Sequence, residues 1–448
     1  MLVGRDVELE ALERRYDSGT FEFLPVYGRR RVGKTALLKE FARSRNSVFF
    51  TAKPGSMSNN LRRLARAITG RGTGAMDAED VLQLVLERSV DERFLLIIDE
   101  YPNMIDRNNS FSGELQTFID DHKDEMKLFL VLCGSSISMM EHEVLGYKSP
   151  LYGRRTGSLR LEPLPFVEAR KLLTGFSDED QMRIYAMVGG IPLYLQKFSP
   201  SMSLRDNIVN GFLAIDAYFA DEPFMTLIED FENPQTYYSV ISAIASGAVK
   251  NSDIAIRSGV RPDLCTRYLR DLENVGVVSK VRPVDNPGGR MTRYRIEDEF
   301  LRFYFAHILE AEDCDPSEYG DVADSVLKDL QNDLRHEFEK ICGQYLRSTV
   351  HGALGKWWGA DPINRTQEEI DIVLTKKVDG RKVGWFCECK YRGEPVGTDV
   401  LETLVRRSAL VKGYDERRYV IFSRSGFEQG LRGRDATLVG WDDIVGGR

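Results

Sequence analysis

The stretch that decides the fold reads Gly28-Arg29-Arg30-Arg31-Val32-Gly33-Lys34-Thr35. It matches the pattern G-x-x-x-x-G-K-[ST] at every fixed position. Residues 23–27 before it are apolar and strand-like, and residues 36–41 after it carry apolar side chains at helical spacing. A strand, a glycine-bounded turn and a helix form the context in which this pattern cradles nucleotide phosphates. A chance Gly-Lys-Thr turn leaves these flanks unexplained, so we expect ATP to bind here.

The loop residues have separate expected roles. Gly28 and Gly33 let the backbone wrap around the phosphates. The loop amides, those of Arg31 and Val32 included, are expected to face the anion at the start of the helix. Lys34 is expected to reach the β- and γ-phosphates.

A second strand supplies the acids for hydrolysis. Residues 93–100 form a continuous apolar run that ends in Asp99 and Glu100, as a central parallel strand does when helices cover both of its faces. Ligands bind at the carboxyl ends of such strands. Thr35 and Asp99 are expected to hold Mg²⁺, and Glu100 to polarise the attacking water. A strand end with a solvated acidic pair is the alternative.

A third apolar strand is predicted over residues 128–133, and small polar residues follow it. Ser135 or Ser136 is the candidate for contacting the γ-phosphate. Serine is also a common turn former, so both interpretations remain open.

Arginines at residues 154 and 155 follow a Pro-Leu-Tyr-Gly stretch. Arg154 is the candidate arginine finger, acting on the nucleotide of its own chain or on that of a neighbouring subunit. The second case requires a homo-oligomer. The alternative is that Arg154 and Arg155 form a solvated or acid-paired stretch.

The first module resembles archaeal-type ATPases of the wider STAND and AAA+ grouping. Five segments carry the resemblance in order, namely residues 3–9, 28–35, 99–100, 151–154 and 189–195. The resemblance implies that Arg5, in the Gly-Arg opening, lies near the nucleotide base. It also implies that Pro192, in the Gly-Gly-Ile-Pro turn of a helical lid, lies near the phosphates.

The second module, residues 201–309, has the pattern of a winged helix. Helices are predicted at 237–245, within 251–260 with Ser252 as the cap, and at 261–272 with Pro262 in its first turn. Strands at 277–281 and 294–296 flank an Asn-Pro-Gly-Gly turn. Residues 250–295 hold ten Lys or Arg against five Asp or Glu, which is the footprint of phosphate contacts and makes DNA the expected partner. Packing or dimerisation through the same module is the alternative.

The third module begins after an acidic segment, residues 310–324, which has seven acids and no Lys or Arg. Strand-like alternation over 369–374 and 383–391 surrounds an Asp-Gly hairpin signal. Period-two geometry puts Glu388 and Lys390 on one face, and Asp371 can reach Glu388 across the hairpin. Two carboxylates and a lysine in this arrangement can hold Mg²⁺ and bring a water to a phosphodiester.

The order Asp371, then Glu388 and Lys390, resembles the PD-(D/E)xK nuclease superfamily, and the stretch from residue 338 to residue 390 resembles the DUF234-type domain that accompanies archaeal-type ATPases. The resemblance implies a third metal-binding acid on the first helix, for which Glu339 is the candidate and Glu337 the rival. Lys390 would position the water or stabilise the developing anion. The alternative is a surface hairpin with a Glu–Lys ion pair.

Composition sets the remaining bounds. The 448 residues are 42% hydrophobic and 29% charged, with a net charge of −8, so a nucleic-acid surface has to be local. The longest apolar runs are strand-sized, which predicts no membrane span. Six scattered cysteines show no metal-ligand spacing, and we expect reduced thiols in a cytoplasmic protein.

The predicted fold is multidomain α/β: a P-loop ATPase with a parallel sheet and helical lid (1–200), a winged helix (201–309), an acidic linker (310–324) and a restriction-endonuclease-like domain (325–448). The predicted function is an ATPase acting on DNA, in which nucleotide state controls a Mg²⁺-dependent nuclease-like domain. The alternative function is a nucleotide switch whose other domains bind DNA or protein without cleavage.

Overall fold

A computed structural model describes residues 2–72, 74, 76–105, 110–288, 291–311 and 314–446. The described chain divides into two compact units. Unit 1 comprises residues 1–164, 191–194 and 225–232, and unit 2 comprises 165–190, 195–224 and 233–448. Gly289 of the predicted wing turn, Arg290 of the basic count, and Glu312 and Asp313 of the acidic segment lie outside the described residues.

The strands of the described residues, in chain order, are β1 Glu22–Tyr27, β2 Ser47–Thr51, β3 Phe94–Asp99, β4 Leu128–Gly134, β5 Leu159–Arg160, β6 Val278–Val281, β7 Arg293–Ile296, β8 Ala353–Asp361, β9 Thr366–Val378, β10 Arg381–Lys390, β11 Glu416–Ser423 and β12 Thr437–Gly440. The α-helices are α1 Asp6–Tyr16, α2 Lys34–Ala42, α3 Met57–Thr69, α4 Ala78–Ser89, α5 Ser110–His122, α6 Ile137–Glu143, α7 Phe166–Ala169, α8 Asp178–Val188, α9 Pro192–Leu195, α10 Leu204–Ile208, α11 Glu222–Asp230, α12 Pro234–Ala245, α13 Asn251–Ser258, α14 Pro262–Asn274, α15 Glu299–Phe303, α16 Tyr319–Thr349, α17 Thr398–Leu410 and α18 Trp441–Val445.

Unit 1 is built on a parallel sheet with strand order β2-β3-β4-β1-β5. The three predicted strands are present as β1, β3 and β4. Every residue of β3 and β4 is buried, as expected for strands that helices cover on both faces. The carboxyl ends of β1, β3 and β4 therefore meet at one edge of the sheet, where the loop at residues 28–33 leads into α2.

In unit 2, α12, α13 and α14 precede an antiparallel pair, β6 with β7. Gly259 ends α13 in the left-handed region (φ 70°), and Pro262 occupies the first turn of α14. The predicted Ser252 cap is wrong. The helix begins one residue earlier, at Asn251, and Ser252 donates a hydrogen bond to Asp253 Oδ1, 3.0 Å away, instead of capping the helix.

Unit 2 also contains a mixed sheet with strand order β12-β11-β10-β9-β8. Strands β8, β9 and β10 are antiparallel neighbours, and β11 and β12 continue the sheet in parallel. The predicted hairpin signal is confirmed, because Asp379 (φ 48°) and Gly380 (φ 79°) make the two-residue turn between β9 and β10. The core between this sheet and α17 includes Trp357, Phe386 and Leu404.

The helix α16 begins at Tyr319, so the end of the acidic segment forms its first turns. The α/β fold class is confirmed, with a parallel sheet in the N-terminal part and a separate mixed sheet in the C-terminal part. No helix of the described chain is both long and apolar enough to cross a membrane.

Candidate nucleotide site and candidate nuclease site

The loop that connects β1 to α2 requires its glycines. Gly28 has φ 150° and Gly33 has φ 102°, and Arg31 between them is also left-handed, with φ 65°. A Cβ atom at Gly28 would lie 2.3 Å from the carbonyl oxygen of Leu161. The backbone thus folds tightly against β5 and opens onto the first turn of α2, whose unpaired amides favour an anion.

Lys34 is the buried cation of this loop. Its side chain is 6% exposed, and Nζ donates hydrogen bonds to the carbonyl oxygens of Gly28 (2.7 Å) and Arg29 (2.8 Å). Burial lowers the pKa of Lys34, and the negative charge of Glu100 acts in the opposite direction. The ammonium group therefore lies inside the loop, where a bound phosphate can replace the two carbonyl oxygens as its partner.

Predicted residues from three elements meet at the sheet edge. Thr35 Oγ1 donates a hydrogen bond to Asp99 Oδ2 over 3.1 Å, and Ser135 Oγ donates one to Glu100 Oε2 over 3.3 Å. Asp99 is 4% exposed. Glu100 has a left-handed backbone (φ 54°), a conformation that costs energy in a residue with a Cβ and is common at functional sites.

Arg5 contacts the loop directly, and the helix that begins at Pro192 contacts it through Tyr194. Arg5 is 4% exposed and donates hydrogen bonds to the carbonyl oxygens of Val32 and Glu162, each over 2.9 Å, so it braces the loop. Pro192 begins α9, and two residues later the ring of Tyr194 lies 5.8 Å from the Arg31 guanidinium.

Arg154 is engaged elsewhere in unit 1. Its guanidinium makes a two-pronged ion pair with Asp120, over 2.9 and 2.7 Å, and hydrogen bonds to the carbonyl oxygens of Pro150 and Tyr152. The bond to Arg154 lowers the pKa of Asp120. An action of Arg154 on a nucleotide, its own or a neighbour's, remains a prediction.

Two acids beside the loop were not predicted from the sequence as part of this site. Glu229, near the end of α11, forms an ion pair of 2.8 Å with Arg30. Asp230 accepts hydrogen bonds from Ser136 Oγ (3.1 Å) and from the amide of Ser138 (3.2 Å). Burial raises the pKa of both carboxyls. The only sequence signal was an acidic pair at a helix end, and nothing in the spacing connects that pair to the loop.

The second candidate site lies where β9 and β10 separate. Their register runs to Ile372 opposite Cys387, so the next step puts Asp371 across from Glu388. Asp371 Oδ2 accepts a hydrogen bond of 2.8 Å from the amide of Cys389. Lys390 Nζ lies 2.6 Å from Glu388 Oε1, which confirms that Glu388 and Lys390 share a face.

Carboxylates in this region act on one another. Burial, and then the charge of Asp371, raises the pKa of Glu388. The same two causes, in the same order, raise the pKa of Glu339 to about 7. Glu339 pairs with Lys356, whereas the rival acid Glu337 is fully buried and paired with Arg302 over 2.8 Å. Of the two candidate acids, Glu337 and Glu339, Glu339 is thus the one with Asp371 as an electrostatic neighbour.

Glu339, Asp371 and Glu388 offer partly buried carboxylate oxygens, which are the type of ligand that a hard cation such as Mg²⁺ prefers. This donor set is not preassembled. Over the described ranges, no group of three or more His, Cys, Asp or Glu side chains is arranged to hold a metal ion. Cations occupy the carboxylates instead, Lys390 at Glu388 and Lys356 at Glu339.

The parallel sheet, the glycine-bounded loop and the buried Lys34 define a P-loop ATPase, which binds ATP. The chain belongs to the archaeal-type ATPases with a DUF234 C-terminal region, as the resemblance implied. Residues 2–198 match the family model described as an ATPase domain predominantly from Archaea. Residues 304–400 match DUF234, described as archaeal and bacterial proteins of unknown function.

An uncharacterized protein of Methanocaldococcus jannaschii is 30% identical over 436 residues, which cover 94% of each chain. An uncharacterized ATP-binding protein of the same organism is 51% identical over 41 residues, which cover 9% of this chain and 70% of that protein. Among solved structures, the Walker-type ATPase of Pyrococcus abyssi is similar in fold, with a TM-score of 0.53 and 17% identity. That similarity covers 68% of this chain and 96% of the other.

Proposed function

We propose that this ATPase acts on DNA and that its nucleotide state controls a Mg²⁺-dependent nuclease in the C-terminal domain. The observation that carries the proposal is the hydrogen bond from the Cys389 amide to Asp371, which brings Asp371 to the end of β10 that carries Glu388 and Lys390, in a chain that also has a phosphate loop. The proposed domains are the ATPase with its lid (1–200), a winged helix (201–309), an acidic linker (310–324) and the nuclease-like domain (325–448).

In the proposed ATPase site, the loop amides and Lys34 bind the phosphates, and Thr35 and Asp99 hold Mg²⁺. Glu100 orients the attacking water, and Ser135, its hydrogen-bond partner, contacts the γ-phosphate. The Thr35–Asp99 hydrogen bond supports this assignment, because it brings a hydroxyl and a carboxylate, both hard oxygen ligands, within 3.1 Å of each other.

The proposed DNA contact uses the winged helix. Arg261, Arg267 and Arg270, at the start and along α14, have side chains between 68% and 76% exposed. Their nearest acids, Asp263 and Asp271, leave most of each guanidinium open to solvent. Exposed cations along a helix that follows a tight turn are suited to phosphate contacts on a duplex.

In the proposed nuclease site, Asp371, Glu388 and Glu339 would hold Mg²⁺, and a bound Mg²⁺ would lower the pKa of a water and offset charge on the phosphorus. Lys390 then leaves Glu388 to hold that water or the developing anion. The raised pKa values of Glu339 and Glu388 support a metal role, because a divalent cation would relieve the repulsion that Asp371 exerts on both.

One observation favours a second function, a nucleotide switch that binds DNA without cutting it. Glu388 is held by Lys390 and also by Arg407, over 3.4 Å, and Glu339 is held by Lys356. A site whose carboxylates are already neutralised by protein cations can be a structural ion-pair network. Slow ATP turnover would then drive a change of conformation alone.

A supercoiled plasmid separates the two functions. The full chain is incubated with it in Mg²⁺ or Mn²⁺, with and without ATP, and nicking is followed on a gel. We expect nicking that Asp371→Ala and Glu388→Ala each abolish, while Asp435→Ala, at an exposed acid just before β12, retains it. Absence of nicking at protein excess in both metals would favour the switch, and nicking by both site variants would remove this site assignment.

A further inference from the structure

A cleft of about 510 Å³ lies wholly within unit 2. Its walls are the β6–β7 hairpin on one side and α16 with parts of β8 and β9 on the other. The walls are joined directly, since the amide of Val284, just after β6, donates a hydrogen bond of 3.1 Å to the carbonyl oxygen of Lys356 on β8. The ammonium group of Lys340 on α16 likewise reaches the carbonyl oxygen of Glu297, 2.8 Å away, beyond β7.

The cleft is strongly basic. Its lining has three acids, Glu297, Glu339 and Asp371, against six cations: Lys280, Arg282, Arg295, Lys340, Arg347 and Lys356. The acids are compensated from within the cleft, Glu297 by Arg295 and Glu339 by Lys356. The lining therefore carries a surplus of positive charge in a chain whose net charge is −8.

Three of the cations have no acidic partner among the described residues. Arg282 donates to the hydroxyl of Thr292 (3.0 Å) and to the carbonyl oxygen of Pro287 (2.6 Å), so its charge is not neutralised. Lys280 and Arg347 are exposed, and within the part of the chain that the structure describes neither side chain has a hydrogen bond or an ion pair. Lys280 lies on β6 and Arg347 on α16, so the two walls each present a free cation.

The lining also defines what the cleft can hold. A cube of 510 Å³ has an edge of about 8 Å, which is less than the roughly 12 Å width of the major groove alone, so a duplex does not enter. The described lining contains no Phe, Tyr or Trp, and His336 provides its single ring. Base stacking is the usual means by which single-strand sites grip bases, and here the available contacts are with phosphates instead.

We propose that this cleft binds the phosphodiester backbone of a single nucleic-acid strand, without base preference, and leads it to Asp371 and Glu339. The proposal rests on the proposed nuclease site, because those two carboxylates line the cleft. It adds a strand-binding surface shared by the β6–β7 hairpin and the C-terminal sheet. Duplex contact by α14 is a separate surface.

The test is fluorescence anisotropy of a labelled single-stranded dT oligonucleotide with the full chain in EDTA, so that cleavage plays no part. The double variant Lys280→Gln/Arg347→Gln removes two phosphate contacts. At about 0.7 per contact, the slope of log Kd against log salt should fall by about 1.4, and affinity at 0.1 M salt by about 25-fold. A mixed-sequence strand should bind as tightly as dT.

The control is Lys377→Gln/Arg432→Gln, which removes the same charges from exposed positions outside the cleft and should leave affinity unchanged. Equal weakening by both double variants, or wild-type affinity of the cleft variant, would overturn the proposal. The cleft and the nuclease can fail separately. If the cleft variant binds the oligonucleotide more weakly but the wild type does not nick the plasmid, only the nuclease proposal fails. If the wild type nicks the plasmid but the cleft variant binds the oligonucleotide like wild type, only the cleft proposal fails.

Discussion

Glu229 and Arg30 form an ion pair of 2.8 Å at the phosphate loop, although they lie far apart in sequence. Glu229 also contributes to the field at Lys34. The carboxylate thus adds negative charge to a loop whose amides and ammonium group serve to attract phosphate. The end of α11 is in this way an electrostatic competitor of the nucleotide.

Glu229→Gln should therefore tighten ATP binding. Removing one negative charge from the loop is expected to increase affinity about three- to tenfold, on the order of 1 kcal/mol for a partly exposed pair. Isothermal titration with ATP measures the change. Glu232→Gln, an exposed acid just beyond α11, is the matched control and should bind like wild type. Weaker binding by Glu229→Gln would mean that the pair organises the loop instead of competing with phosphate.

Gly28→Ala should destabilise unit 1 and abolish ATP binding. The added Cβ would meet the Leu161 carbonyl at 2.3 Å, and φ 150° is a strained angle for alanine, which together cost about 1–3 kcal/mol or more. Urea unfolding and ATP titration measure the two effects. Gly72→Ala has open space around it and should change neither. Wild-type stability and binding in Gly28→Ala would show that the loop backbone can relax.

The stability of unit 2 should depend on pH through Glu339. Its pKa rises from an ordinary 4.5 to about 7 in the folded state, chiefly through burial and then Asp371, with Lys356 acting in the opposite direction. The folded state therefore binds the proton more tightly. Glu339 is neutral in both states below about pH 4.5, and stability falls as pH rises from there through 7.

Glu339→Gln should remove the loss of stability between about pH 4.5 and pH 7. The variant is expected to be more stable than wild type at pH 8, by on the order of 1–3 kcal/mol, and equal to it near pH 4.5. Urea unfolding at the two pH values measures the difference. A constant offset at both would indicate a packing effect of the glutamine and not a titration.

Local patterns predicted much of what was found. The loop at 28–35, the strands that lead to Asp99 and Ser135, and the Asp379-Gly380 turn were all evident from sequence, because each depends on residues within a few positions of one another. The turn also sets the register that brings Asp371 to Glu388. Local chemistry was sufficient for these features.

Long-range contacts were not predictable in this way. Asp230 reaches Ser136 and Ser138 across more than ninety residues, and no spacing rule encodes such a contact. The prediction of Ser252 as the cap of α13 was wrong for a different reason. The helix begins at Asn251, so Ser252 lies inside its first turn and not before it. Competition among several adjacent polar residues decides a helix start.

Metal binding at the candidate nuclease site can be measured by thermal unfolding, without any nuclease activity. If Mn²⁺ binds Asp371 and Glu388, it stabilises the folded chain by mass action, about 1.4 kcal/mol at ten times Kd, and Tm should rise with Mn²⁺ concentration. Glu388→Gln should lose most of that rise, while Asp435→Asn, at an exposed acid just before β12, keeps it. Because Lys390 competes with the metal for Glu388, the Tm of Lys390→Met should rise at a lower Mn²⁺ concentration than that of wild type.

Two results would contradict this prediction. An identical rise of Tm in wild type and Glu388→Gln would assign the stabilising ion to another part of the chain. No rise of Tm in Lys390→Met would favour the purely structural ion-pair network.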